Sequence, residues 1–316
     1  MPKWTKHPAQ PIRVAVLLFD RFSNLCLANC IEPLRAANAL SPARAFEWRI
    51  LTPDGRAARS SSGIDILADS SLAELGAVDY LLVLASYDHA RHDTAPTRRQ
   101  LRAAARRARV TVGMDTAPWL LASAGLLAGR RATVHGDLFD AFAERFFDVE
   151  ASRARITRDG AMVTCGGAMS ALELTLGVIA DHLGLAARLD VEALFLHDDP
   201  GIGAARDTVA DPLVRRALGL MREAIERPLP LAVLARRLSC QPRTLERRFR
   251  ARLGAPPGTV YRHLRLSAAR KMIEDSTLSV AEIALRCGYD SPAAMSRAFR
   301  RLHGAPPTAL RLAHRG

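Results

Sequence analysis

Residues 231–257 read LAVLARRLSCQPRTLERRFRARLGAPP, and residues 280–307 read VAEIALRCGYDSPAAMSRAFRRLHGAPP. The two stretches are one unit written twice. Phe249 matches Phe299, Gly254 matches Gly304 and Pro257 matches Pro307, each at an offset of 50. Upstream, Leu234 matches Ile283 and Ala235 matches Ala284 at an offset of 49, so the second copy carries one extra residue in its turn. Each copy is an apolar-periodic helix, a short polar turn, a second helix opened by proline and a glycine stop. That is the pattern of a helix-turn-helix.

In the first copy's second helix, Leu245, Phe249 and Leu253 recur every four residues and must face a core. Arg243, Arg247, Arg248, Arg250 and Arg252 cover the other faces. A helix so covered is either a solvated surface or a reader of phosphates and bases. A lone helix would favour the first reading, whereas two basic copies in one chain favour double-stranded DNA. Charge points the same way. The chain of 316 residues carries a formal net charge of +13, and residues 228–316 hold 17 Lys+Arg against 5 Asp+Glu, a balance of +12. The first 227 residues are left with +1, which suits a near-neutral module joined to a polyanion-binding one.

The tail resembles the AraC/XylS-type DNA-binding domain. The matching positions are Ala235 with the apolar residues around it, Arg265-Leu266, Ala269-Arg270, Ile283-Ala284, Gly288-Tyr289, Phe299, Gly304, Pro307 and Arg311. The resemblance implies two helix-turn-helices bridged by a long helix from Thr259 to about Asp275. Their reading helices would enter the major groove about 34 Å apart. By position in the family's recognition helices, Arg243, Glu246, Arg247, Ser296 and Arg297 are the implied base readers. Arg248, Arg250 and Arg300 are the implied phosphate contacts. Val260 and Leu310 stand where the family usually has tyrosine, which implies a looser corner after each reading helix. A helix from Pro212 to about Arg227, apolar at Leu213, Leu220, Met221 and Ala224, is expected to open this domain.

The first part of the chain alternates strands and helices. Ile12–Phe19 (IRVAVLLF) and Tyr80–Ala85 (YLLVLA) are nearly unbroken apolar runs, as in parallel strands covered on both faces. A helix through Leu40, a strand Phe46–Leu51, a basic amphipathic helix near 96–108, a strand Val110–Met114 and a short strand Ala132–Val134 come between and after them. Thr164-Cys165-Gly166-Gly167 then opens a helix over 168–183. This alternation predicts a doubly wound α/β sheet with polar residues at its strand ends. Five cysteines (Cys26, Cys30, Cys165, Cys240, Cys287) show neither zinc spacing nor a secretory framework. His197-Asp198-Asp199 reads as a solvated connection, not a metal site. No apolar run approaches membrane-spanning length, and the opening residues lack a signal-peptide core, so a cytoplasmic location is expected.

These landmarks resemble the amidase-like, PfpI-type sensory domain of GlxA-type regulators within the AraC/XylS superfamily. The resemblance lies in Val14, Phe19-Asp20, Glu32, Leu34-Arg35, Ala37-Asn38, Ala122, Ala124-Gly125-Leu126-Leu127, Arg131-Ala132-Thr133, His135 and Cys165-Gly166-Gly167. It implies a class I glutamine amidotransferase-like, flavodoxin-like α/β sensory domain over 1–196. A linker over 197–211 and an all-α AraC-type domain over 212–316 would follow. In enzymes of that fold a cysteine at the strand-to-helix elbow attacks a carbonyl. Here the elbow is Gly113-Met114-Asp115-Thr116-Ala117-Pro118, and a carboxylate lacks the thiolate's nucleophilicity.

Two readings of the elbow stay open. Asp115 or Thr116 caps the next helix, or Asp115 and Glu32 line a pocket for a cationic metabolite. Trp119 would then add a cation–π contact or simply fill the core. His135 is a dyad partner of Asp115 or a structural histidine, and Cys165 and Gly166 are pocket wall or packing. The expected protein is a homodimeric transcription activator with no cofactor, metal, membrane contact or catalysis. It would answer to a small nitrogenous effector (an amino acid, betaine or amine) and work with RNA polymerase. Its rivals are a cysteine-independent amidase-like hydrolase with a DNA-binding tail, and an architectural DNA binder without a ligand.

Overall fold

The computed structural model describes residues 3–195 and 211–315, so the expected linker, with His197-Asp198-Asp199, lies almost wholly outside the described residues. The chain forms two compact units, one of Pro8–Ala39 with Arg44–Val178, the other of Met1–His7, Leu40–Ala43 and Ile179–Gly316.

The first unit is built on eleven strands: β1 (Ile12–Leu18), β2 (Phe46–Thr52), β3 (Ala58–Arg59), β4 (Asp65–Ile66), β5 (Ser70–Ser71), β6 (Val78–Ala85), β7 (Ala108–Asp115), β8 (Arg131–Ala132), β9 (Glu150–Ala151), β10 (Ile156–Asp159) and β11 (Met162–Cys165). Seven of them form one sheet in the order β10-β11-β7-β6-β1-β2-β5. All neighbours are parallel except the β10–β11 hairpin. Helices α1 (Asn24–Leu40), α2 (His89–His92), α3 (Ala95–Ala105), α4 (Ala117–Ser123), α5 (Phe139–Arg145) and α6 (Ala168–Leu183) connect and follow the strands, and α6 runs on into the second unit. Val14–Leu18 and Tyr80–Ala85 are buried, as unbroken apolar runs covered on both faces must be. The β10–β11 hairpin and α5 were not legible in the sequence. Four-residue strands and a seven-residue helix are too short for a periodic signal.

In the second unit, α7 (Leu185–Phe195) is followed by α8 (Pro212–Glu223), α9 (Leu231–Arg237), α10 (Pro242–Leu253), α11 (Pro257–Asp275), α12 (Val280–Arg286), α13 (Pro292–His303) and α14 (Pro307–Arg315). The duplication is exact in outline. Both α10 and α13 have 12 residues, open with proline and stop at a left-handed glycine, Gly254 (φ 69°) or Gly304 (φ 78°). The α9–α10 turn spans 238–241 and the α12–α13 turn 287–291, so the extra residue lies in the second turn. The opening helix stops at Glu223, shorter than expected, because Ala224 has left helical geometry. Tyr261 Oη holds that exit by donating to Ala224 O (2.8 Å) and accepting from Leu229 N (3.2 Å).

Helix α11 serves two cores. Val260 and Leu264 join Val214, Leu218, Met221, Leu234, Leu245, Phe249 and Leu253. Leu266, Ala269 and Ile273 join Ile283, Ala284, Cys287, Met295 and Phe299. Val260 is sealed in the first core and Leu310 packs on the second, so these aliphatic residues fill the corners. Arg265 projects from α11 onto the second turn, donating through Nε to Cys287 O (2.7 Å) and through Nη2 to Gly288 O. Its guanidinium also lies 4.2 Å from the centre of the Tyr289 ring.

The turns use the left-handed region differently. Ser239 adopts φ 54° in the first turn, where the second has Gly288 at φ 70°. A Cβ on Gly288 would fall 2.7 Å from Ile225 O and 2.6 Å from Pro228 Cδ. Gly288→Ala should therefore cost more than about 2 kcal/mol, combining left-handed strain with a backbone clash. Ser239→Gly should be neutral or stabilise by up to about 1 kcal/mol. Thermal and denaturant unfolding of the full chain would check both, and equal costs would contradict this account of the turns.

Candidate functional site

Two sets of the candidate residues come together in the structure. The first is the outer face of α10 and α13. Leu245, Phe249 and Leu253 bury one side of α10, and Met295 and Phe299 bury one side of α13. Arg243, Arg247 and Arg250, at i, i+4 and i+7, are exposed on α10 with Glu246 half-exposed among them. On α13, Arg297, Arg300 and Arg301 are exposed and Ser296 is half-exposed. None of these arginines is ion-paired with another described residue.

Arg248 departs from its expected role as a phosphate contact. Its Nη1 lies 2.8 Å from Asp211 Oδ2, and Arg252 Nε approaches the same oxygen at 3.8 Å. The Asp211 side chain is 1% exposed. It also caps α8, accepting from Leu213 N (3.0 Å) and Val214 N (3.4 Å). Burial alone would raise this carboxyl's pKa, but the hydrogen bonds from Arg248 and the two backbone N–H groups hold it below the usual carboxylate range. Arg248 is thus a clamp between α10 and the start of α8.

The second set gathers at the carboxyl end of the sheet. Asp115 ends β7 with φ 62°, a left-handed elbow in a non-glycine residue, and is 9% exposed. Ser86 Oγ, just past β6, donates to Asp115 Oδ2 at 2.7 Å. Thr116 Oγ1 donates to Ser86 O (2.8 Å) and Thr116 N to Ala85 O (3.0 Å). Neither Asp115 nor Thr116 therefore caps α4, whose N-cap makes no side-chain bond. The capping reading is replaced by a cross-strand lock between the ends of β6 and β7. Burial raises the Asp115 pKa, against the lowering effects of the Ser86 bond and of His135 and His89 nearby.

The other expected ligand residues separate on inspection. Glu32 pairs with Arg35 at 2.7 Å, both partly exposed. Cys30 on the same helix touches Met114 (Sγ–Sδ 3.1 Å), and Glu32 lies two residues on, about 200° around α1. Glu32 thus faces away from the elbow and does not share a pocket with Asp115. His135 makes no dyad. Its Nδ1 accepts from Asp137 N (3.4 Å), and its link to the elbow is a backbone bond, His135 N to Asp115 O at 2.9 Å. Trp119 packs edge-on against Phe146 (5.2 Å between centroids) and beside His89 (5.1 Å), so its ring belongs to the core. Cys165 is fully buried, and burial pushes its thiol well above the usual range. Gly166 is required by close approach, since a Cβ there would lie 2.8 Å from Val134 O.

The model for the DJ-1/PfpI family matches residues 12–181, and that for a helix-turn-helix domain matches residues 234–313. The HTH-type transcriptional regulator CdhR of Pseudomonas aeruginosa is 33% identical over 300 residues, 92% of this chain and 89% of that protein. The HTH-type transcriptional regulator GlxA of Rhizobium meliloti is 33% identical over 308 residues, 95% of each chain. The chain belongs to the AraC-type regulators that carry a DJ-1/PfpI domain. A solved AraC family transcriptional regulator from Pseudomonas putida is 25% identical, with a TM-score of 0.52, and covers 58% of this chain and 100% of its own.

Within this AraC-type regulator, the sequence left three neighbours of the elbow unnoticed: Ser86, His89 and Cys26. Ser86 and His89 follow a strand in an unpatterned turn, and Cys26 differs from Cys30 in no local feature; only sheet order brings them to Asp115. Among the described residues, no group of three or more His, Cys, Asp or Glu is arranged to hold a metal. The Asp115 pKa gives a stability prediction. A carboxyl whose folded pKa is raised favours the fold when protonated. That contribution is full below its ordinary value of 3.8 and is lost as pH rises through the raised value. Asp115→Asn keeps an acceptor for Ser86 and tolerates the left-handed elbow. It should melt higher than the parent at pH 7, with the gain vanishing near pH 3. A variant less stable at pH 7 would show that the ionised carboxylate holds the elbow together.

Proposed function

We propose that this regulator reads DNA by placing α10 and α13 in successive major-groove segments, and that its α/β domain is a non-catalytic sensor. The observation that carries the reading is the repeated exposure of unneutralised arginines at equivalent places, Arg247 with Arg297 and Arg250 with Arg300, on helices whose opposite faces are locked into separate cores. On this reading Arg243, Glu246, Arg247, Ser296 and Arg297 meet base edges, and Arg250 and Arg300 hold phosphates. On the same reading the sensor takes 1–196 and the DNA reader 212–316, although the compact units part at 178/179, with α7 on the side of the DNA reader. Kinship with HTH-type transcriptional regulators supports the regulatory role, and the reading extends it to an activator that works as a cytoplasmic homodimer with RNA polymerase. Among the described residues, no helix is long and apolar enough to cross a membrane.

The effector reading rests on Asp115. Its buried carboxylate receives one hydroxyl bond from Ser86 and has no ion-pair partner among the described residues, which suits a small cationic or zwitterionic amine. Catalysis by thiol attack is disfavoured because the elbow holds a carboxylate, and Cys26 and Cys165 are sealed with raised pKa values.

Two measurements test this. Arg247→Ala should cost about 1–3 kcal/mol of binding to a selected duplex and relax preference at one base position. Uniform loss across sequences would make Arg247 a phosphate contact. Amino acids, betaines and simple amines should raise the melting temperature of the full chain, and Asp115→Asn should abolish that rise. A shift that survives the substitution would place the effector elsewhere, and steady amide turnover by the parent would revive the hydrolase.

A further inference from the structure

The second unit encloses a cavity that the DNA reading does not use. It holds about 420 Å³, and every residue that lines it belongs to that unit. Small-molecule cavities run from about 300 to 1,000 Å³, with mostly apolar walls and a few fixed polar groups. This one has both features. Helix α7 supplies Leu189 and Leu194, α11 supplies Leu264 and Ala268, and Ile225 follows the end of α8. Leu194 is 48% exposed, so apolar surface stands open on the α7 wall.

Two polar groups on these walls have unmet hydrogen-bonding capacity. The Asp190 side chain on α7 is only 17% exposed, and both of its partners use one oxygen. Ser267 Oγ donates to Asp190 Oδ1 at 2.5 Å, and His263 Nε2 lies 2.9 Å from the same atom. Those contacts fix the carboxylate and leave Oδ2 without a hydrogen bond or ion pair among the described residues. His303, at the end of α13, forms another part of the wall, and its Nε2 is buried with no hydrogen-bond partner among the described residues. Burial lowers the His303 pKa to about 4, helped by Arg270 and His263 and opposed by Asp190 and the Leu266 carbonyl. The ring is therefore neutral near pH 7 and carries one bare nitrogen. A buried polar atom left unpaired costs free energy, which a hydrogen-bond donor in the cavity would recover. The neighbouring Arg270 does not supply it, since its Nε is turned to Glu274 Oε1 at 2.8 Å.

We propose that this cavity is a binding site for a small arylalkyl ammonium compound, whose cationic head meets Asp190 and His303 and whose apolar body lies along α7 and α11. Donors are what both vacant acceptors call for, and an ammonium also answers the charge on Asp190. The apolar walls favour a body that the small polar amines suited to Asp115 lack. Arg222 and Lys271 also line the cavity, so a carboxylate-bearing occupant is the alternative that the experiment separates. Neither the DNA reading nor the Asp115 reading is needed for this site. Its occupant would nevertheless touch α11, which both cores share, and the end of α13.

The probe is tryptamine, titrated calorimetrically into the full chain at pH 7. Indole-3-propionate, which keeps the indole and carries a carboxylate in place of the amine, is titrated beside it. Asp190→Asn removes the charge and keeps an acceptor for Ser267 and His263, while Ala268→Leu narrows the cavity and leaves its polar groups in place. Each variant is first shown to melt cooperatively, and two unrelated variants keep the test open if one fails to fold. Tryptamine should bind the parent, and Asp190→Asn and Ala268→Leu should each weaken it at least about tenfold. Indole-3-propionate should bind the parent at least about tenfold more weakly than tryptamine. Tryptamine binding should persist in Asp115→Asn, which separates this site from the elbow. No binding of tryptamine to the parent, or a preference for indole-3-propionate, overturns the proposal. Binding that is lost in Asp115→Asn and kept in both cavity variants also overturns it, and would place the amine at the elbow.

Discussion

Everything the DNA-binding unit does depends on one helix being shared by two cores. Helix α11 gives Val260 and Leu264 to the first helix-turn-helix and Leu266, Ala269 and Ile273 to the second. Close-packed interiors resist deformation, so a helix packed on both sides fixes the spacing of α10 and α13. Arg265 extends that control from packing to backbone. It reaches from α11 to the carbonyls of Cys287 and Gly288 and stacks beside Tyr289, which pins the turn that aims α13. Arg248 and Asp211 do comparable work for α10, tying it to the start of α8 through a buried carboxylate. Arginine thus has two occupations here. Some hold the frame, and others stand on its outer face with no ion-pair partner among the described residues.

At the other end of the chain the sheet brings Asp115 to an elbow that local chemistry alone would not choose. A left-handed aspartate costs conformational energy, and burying its carboxylate costs more. Ser86 and the backbone bonds of Thr116 and His135 hold it there. Strain and a perturbed carboxyl at a strand end are features of sites kept for binding or chemistry.

The architecture was legible in the sequence wherever the pattern was long. The duplicated 50-residue offset, the glycine stops, the extra turn residue and the buried strands β1 and β6 all follow from residue order. Short elements escaped, as did side chains whose meaning depends on a distant partner. Arg248 looks no different in sequence from Arg247, four residues past Arg243 on the same exposed helix. Only the fold puts Asp211, 37 positions away, against one and not the other. Glu32 and Asp115 likewise looked like one acidic pocket until helical phase turned Glu32 toward Arg35.

Periodicity, charge count and turn chemistry determined on their own that this chain is an α/β module joined to a doubled, basic helix-turn-helix, because each of those signals is local and repeats. Tertiary structure alone decided which carboxylates meet which arginines, that Ser86 and not a helix cap holds Asp115, and which arginines are left facing solvent. Those outcomes depend on contacts between residues far apart in the chain, and hydrogen-bond distance is a property of the fold, not of sequence spacing.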